Sequence, residues 1–166
     1  MIMQSIEQQL QSALAAHQAG DVSRAEQGYL DVLALQPKNP DANNMLGVVL
    51  LGQKQFAKAV KHLRKAVKCA PQFAGAKFNL GVALESVNKV NEAIHSYKGA
   101  LVYDPSYLEA HFALGNCYVK QGRVVDGQKA YAKVLAIEPT HITALNNLGT
   151  SYFDQKNYLK AIDYLT

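Results

Sequence analysis

The chain has 166 residues, 49% of them hydrophobic and 18% charged, which is material for one packed domain and argues against disorder. Lys and Arg number 17 against 13 Asp and Glu, a net charge of +4 that is too weak by itself to point to nucleic acid. Arg24 is the first basic residue, no apolar run approaches the ~18 residues of a membrane span, and Cys69 and Cys117 offer no C-x-x-C spacing, so a cytoplasmic chain without disulfides or zinc is expected.

An internal repeat organises the rest. Leu-Gly pairs stand at Leu46-Gly47, Leu80-Gly81, Leu114-Gly115 and Leu148-Gly149, each 34 residues after the last. Pro37, Pro71, Pro105 and Pro139 keep the same register, as do Ala42, Ala76, Ala110 and Ala144. A further series, Ala25, Ala59, Ala93 and Ala161, is interrupted once, by Gly127. The units run at approximately 6–39, 40–73, 74–107, 108–141 and 142–166, within one domain.

In chain order, the first unit opens with Leu14-Ala-Ala-His-Gln-Ala-Gly20, and carries Ser12-Ala13 where the others have Leu-Gly. The second holds the sharpest charge feature. Lys54, Lys58, Lys61, Lys65 and Lys68 recur at steps of four and three, which places them on one helical face; Arg64 adds to it, and no acid lies between Asp41 and Glu85. Such a stripe can meet an acidic partner, an anionic membrane or nucleic acid, although lysine faces are most often simply solvated.

The third unit shows the helical pattern best. From Ala76 to Val87, Phe78, Leu80, Val82, Ala83, Leu84 and Val87 follow three- and four-residue steps. The turn-prone run Asn88 to Asn91 follows, with Asn91 expected as the N-cap of a second helix over Glu92 to Tyr103. Pro105 lacks an amide hydrogen and disfavours helix at Asp104, so that helix ends there. Gly81 and Ala93 let the two backbones approach while Tyr97 and Leu80 fill around them, and such a pair must stack on neighbours to bury its apolar faces.

Gly115, Tyr118, Tyr131 and Pro139 repeat the scheme in the fourth unit, and Gly149, Tyr152 and Ala161 in the fifth. These residues resemble the tetratricopeptide repeat, over roughly residues 6 to 166, although the opening Trp of that motif is absent throughout. The first unit then looks like an N-terminal cap, and Gly127 and Val134, standing for expected alanines, make the fourth unit less regular. The fifth stops at Thr166, midway through its second helix, which reads as the N-terminal part of a longer protein.

The resemblance implies an all-α, right-handed superhelical solenoid of antiparallel helix pairs, with the first helices lining a concave groove that holds a peptide or helix of a partner protein. The residues expected there are Asn44 and Val48, then Phe78, Asn79, Val82 and Glu85, then Phe112, Asn116, Val119 and Lys120, then Asn146, Asn147, Thr150 and Phe153. For Phe78 and Phe112 the alternative is inter-repeat core. Asn79 and Asn147, each just before a Leu-Gly pair, are similar to the asparagine ladder of O-GlcNAc transferase-type arrays, but Met45 and Ala113 break the series. A carboxylate clamp is excluded, because Phe112 stands where its lysine belongs.

No catalytic constellation is visible. The five histidines include no pair at metal-binding helical spacing, no Gly-rich phosphate loop exists, and both cysteines fall at apolar positions that suit a core. The expectation is a scaffold without enzyme activity, cofactor or metal, with a protein partner and no nucleic acid. The alternatives are the recruitment arm of a larger enzyme, such as a glycosyltransferase or methyltransferase, or a self-assembling array in which Leu148, Tyr152, Ile162 and Leu165 form an apolar patch rimmed by Lys156 and Lys160.

Overall fold

A computed structural model describes residues 5–165; Thr166, where the fifth unit stops, lies outside them. Among the described residues there are ten helices and no strand: α1 (Ile6–Gln18), α2 (Val22–Leu35), α3 (Pro40–Gly52), α4 (Phe56–Cys69), α5 (Ala74–Ser86), α6 (Val90–Tyr103), α7 (Leu108–Lys120), α8 (Val124–Ile137), α9 (Ile142–Asp154) and α10 (Tyr158–Leu165). The fold is an all-α solenoid of helix pairs.

Local chemistry explains the punctuation. The second helices α2, α4, α6 and α8 end two residues before Pro37, Pro71, Pro105 and Pro139, where the proline ring disfavours helix at the residue before it. Inside each pair, the turn passes through the left-handed region at Gly20, Lys54, Asn88, Gly122 and Lys156, with φ of 78°, 60°, 60°, 72° and 60°. Glycine adopts this conformation without strain and asparagine tolerates it, whereas the two lysines adopt it at a cost. Asn91 consequently lies inside the first turn of α6 and is not its N-cap; the helix begins one residue earlier, at Val90. True side-chain caps stand at Ser5, Asp21, Asn39 and His141, each accepting from a backbone amide three residues on.

The chain divides into two compact units, one ending at Ser96 and the other beginning at Tyr97, so that α6 runs through the boundary. In the first unit α1 packs on α2 and α3 on α4, and contacts of α2 with α3 and of α4 with α5 join successive pairs. Tyr29, Val32, Leu46, Leu63 and Leu84 are its largest fully buried apolar side chains. In the second unit α7 packs on α8, α8 on α9 and α9 on α10, around Leu114, Cys117, Tyr131, Val134 and Leu148.

The glycines of the Leu-Gly pairs set the helix spacing by receiving a bulky side chain from the partner helix. A methyl group on Gly47 would lie 2.5 Å from Leu63 Cγ, one on Gly149 2.6 Å from Leu165 Cγ, and one on Gly115 inside contact distance of the Tyr131 ring. In α1 the small residue is Ala13, and the space its methyl needs is conceded on α2 by Gly28, where an added methyl would sit 2.7 Å from Ala13 Cβ. Gly127 is equally tight: a methyl there would meet Val119 Cγ2 at 2.6 Å and the Gly115 carbonyl oxygen at 3.2 Å. The fourth unit thus brings α7 and α8 together through glycine on both helices.

Two expectations fail in the core. Cys69, at the last position of α4, is exposed, and only Cys117 is buried. Leu148 is 1% exposed, because α9 turns it inward. Ile162 and Leu165 are exposed as expected, and so are Phe153, Tyr158 and Leu159. Tyr152 is half-buried, stacked on Tyr164 with ring centroids 5.8 Å apart, and Lys160 lies over its ring.

Candidate functional site

The second unit holds the residues in which sequence and geometry coincide. Asn116, Val119 and Lys120 of α7 and Asn147 and Thr150 of α9 line one open cleft of about 550 Å³. Val124 and Tyr131 of α8, with Ser151, Asp154 and Gln155, complete its lining. Hydrogen bonds hold several of its polar groups in place. The Tyr131 hydroxyl donates to Asn116 Oδ1 at 2.7 Å, and Asn147 Nδ2 donates to the same oxygen at 3.4 Å. Gln128 Nε2, from beneath, donates to Ser151 Oγ at 3.1 Å and to Gln155 Oε1 at 3.0 Å. Burial pushes the Tyr131 hydroxyl above its ordinary pKa, against the opposing effect of the Asn147 amide, so it remains a neutral donor near pH 7.

Three expected groove residues of this unit lie outside the cleft's lining. Phe112 is half-buried, its ring 5.8 Å from Tyr131 and 5.3 Å from His141. Asn146 and Phe153 are exposed on other parts of α9, with the Phe153 ring 5.4 Å from Tyr158. Asp154 and Gln155 were missed by the sequence reading. A signal existed for Asp154: it follows Gly149 by the same five residues that separate Lys120 from Gly115.

In the first unit, Asn44 is 6% exposed and its Oδ1 accepts from Asn79 Nδ2 at 2.9 Å, bridging α3 and α5. Val48, Phe78, Val82 and Glu85 are half-buried. The neighbouring Asn43, fully buried, is a framework residue: its amide donates to the Pro37 and Asn39 carbonyls, and its Oδ1 faces His62 Nδ1 at 3.1 Å.

The lysines behave as a surface. Lys58, Lys61, Lys65 and Lys68 are all exposed along α4, whereas Lys54 belongs to the turn before that helix and not to its face. Arg64 pairs with Glu92 of α6 at 2.5 Å, and Lys89 reaches the same carboxylate at 3.0 Å. Like charges three and four residues apart each cost a helix a few tenths of a kcal/mol, so α4 is self-repelling. His62 registers the field: burial first, then the Lys65 and Lys61 ammonium groups, hold its pKa below the ordinary value.

Four family models match successive parts of this chain. Tetratricopeptide repeat models match residues 10–74, 108–141 and 141–165, and a TPR repeat model matches residues 85–122. The chain belongs to the tetratricopeptide repeat family. No curated protein sequence matches it. Among solved structures it is similar to a MamA protein, at 24% identity and a TM-score of 0.87, over 96% of this chain and 87% of that one. YrrB, described as a TPR protein with an unusual peptide-binding site, matches at 22% identity and a TM-score of 0.81, over 95% and 81%. PilF of Pseudomonas aeruginosa matches at 20% identity and 0.85, over 96% and 72%. At these identities the likeness establishes the fold. Among the described residues no helix is long and apolar enough to cross a membrane.

Proposed function

We propose that this tetratricopeptide repeat chain is a non-catalytic scaffold that binds a peptide segment of a partner protein in the cleft formed by α7, α8 and α9. The observation that carries this reading is the chemistry of the cleft. Two asparagine amides suit the donors and acceptors of a peptide backbone, while Lys120 and Asp154 present opposite charges to its side chains. The volume falls within the range of ligand-sized clefts, and the mutual hydrogen bonds of Tyr131, Asn116 and Asn147 preorganise it. YrrB, of the same fold, is described as binding peptide, which agrees with this use.

The test is titration calorimetry against peptides selected on the protein from a display library. Lys120→Ala with Asn147→Ala should weaken the selected peptide by at least about five-fold, as loss of a central contact does. Helix content should be unchanged. A folded double variant binding with wild-type affinity would overturn the assignment.

A second reading, self-association, is favoured by the exposure of Phe153, Tyr158, Leu159, Ile162 and Leu165 within α9 and α10. Large exposed apolar side chains gathered on two neighbouring helices favour association.

A further inference from the structure

The α4 lysine face takes no part in the proposed cleft, and the repeat framework does not require it. Thirty-four residues to either side of Lys61 stand Gln27 and His95; of Lys65, Asp31 and Gly99; of Lys68, Ala34 and Val102. The pairs holding α2 and α6 therefore pack with polar, small or apolar residues at those positions; α8 has Lys129 and Lys133 at the first two and Ala136 at the third, and only α4 carries lysine at all three. The charge is also segregated. Residues 42–84 contain seven Lys and Arg and no acid, whereas the remainder has ten against 13 acids, so +7 and −3 make up the net +4.

We propose that the exposed face of α4, built by Lys58, Lys61, Lys65 and Lys68, is a docking surface for an acidic segment of a partner protein, with the end of that segment seated beside Lys38. The cleft at this end, about 520 Å³, is lined by Pro37, Lys38, Lys65, Lys68 and Cys69, so three ammonium groups converge there from the α2–α3 turn and from α4. Lys58 to Lys68 spans ten residues, about 15 Å of helix, which matches an acidic stretch of a few residues in extended form or of some three turns as a helix. Lys58 leans on Gln55 Oε1 at 2.7 Å, a neutral acceptor that leaves its charge uncompensated.

The same face argues against the other polyanions. Within α4 itself no large apolar residue is exposed, so the lysine-bearing helix offers no side chain to insert into a bilayer or to stack on unpaired bases. The depressed His62 pKa agrees with an uncompensated positive field over α4.

The experiment compares three probes by fluorescence anisotropy on the full chain: a peptide carrying glutamates at three- and four-residue spacing, phosphatidylserine vesicles, and a DNA duplex. The glutamate peptide should bind most tightly, with affinity falling steeply as salt is added. Lys61→Gln with Lys65→Gln and Lys68→Gln should weaken it by about ten-fold, while the charge-matched control Lys129→Gln with Lys133→Gln and Lys156→Gln changes it by less than about two-fold. Saturation with the peptide should also raise the His62 titration midpoint in the unmodified chain, a readout independent of any variant's folding. Equal losses in the two triple variants, tighter binding of vesicles or duplex, an unmoved His62, or no binding of the peptide at low salt would each overturn the proposal. The cleft variant Lys120→Ala with Asn147→Ala should bind the glutamate peptide like the wild type, which separates this surface from the cleft.

Discussion

Gly115→Ala puts the spacing of α7 and α8 to a quantitative test. An added methyl would fall inside contact distance of Tyr131 Cδ1 and Cε1 and reach Cζ at 3.0 Å. The ring cannot withdraw easily. Tyr131 is 3% exposed, its hydroxyl is bonded to Asn116 Oδ1, and Phe112 lies against it. Restoring ordinary contact requires α8 to shift by roughly 1 Å, at a typical overpacking cost of about 1–3 kcal/mol. Weakening the Tyr131–Asn116 bond adds about 0.5–1.5 kcal/mol, and the better helix propensity of alanine returns about 1 kcal/mol. The net loss is about 1–3 kcal/mol, or roughly 3–10 °C in Tm for a chain of this size. Gly52→Ala is the matched control: it stands at the end of α3 with nothing within 4 Å of the added methyl, so it should gain a few tenths to about 1 kcal/mol. Thermal melts followed by circular dichroism rank the three proteins. Gly115→Ala melting at or above the wild type would refute the claim that this glycine holds the helices at their spacing.

Tyr29→Phe should be neutral or stabilising by up to about 1 kcal/mol in the same melts, because the Tyr29 hydroxyl is buried without a hydrogen-bond partner and phenylalanine relieves its desolvation; a loss above that size would reveal a bonded hydroxyl. His62, whose pKa is held below its unfolded value by burial, Lys65 and Lys61, contributes stability that is fully present above the unfolded pKa of about 6.5 and is lost as pH falls through the folded one. An NMR titration should place its midpoint below 6.5, with Lys61→Gln and Lys65→Gln raising it; a midpoint insensitive to both lysines would remove the field argument. Leu159→Glu with Ile162→Glu should reduce any concentration-dependent mass seen by light scattering, and an association unchanged by these charges would place the contact elsewhere.

The register was legible because it is written in residues with few substitutes. Proline ends α2, α4, α6 and α8, and glycine receives Leu63, Tyr131 and Leu165. What escaped were features in which two helices share one requirement. The Ala13–Gly28 exchange shows only once α1 and α2 are paired, since neither residue keeps the series alone. Tyr131 read as packing, and its hydroxyl gained a role only with Asn116 in reach. Asn91 misled because it is a good capping residue in a place where the left-handed Asn88 had already set the entry to α6. Cys69 misled because an apolar phase at the last residue of a helix no longer guarantees cover.

A repeat of this kind separates frame from function by position, and the separation can be followed within one chain. The residue after each Leu-Gly pair is Val48, Val82, Asn116 and Thr150 in turn, and the residue five beyond each glycine is Gly52, Ser86, Lys120 and Asp154. The backbone asks the same of all these places, a half-buried or exposed site on a first helix. Apolar and small residues satisfy it in the first unit, so packing does not explain the amide, hydroxyl, ammonium and carboxylate found in the second. Those four polar groups stand on α7 and α9 around the one oxygen, Asn116 Oδ1, that Tyr131 and Asn147 both address. On the proposed reading, the departure from the apolar and small residues of the first unit serves the bound peptide, and the Lys120→Ala with Asn147→Ala variant tests it. The lysines of α4 follow the same logic on the second helices, where charge repulsion opposes them and the repeat supplies no compensating contact.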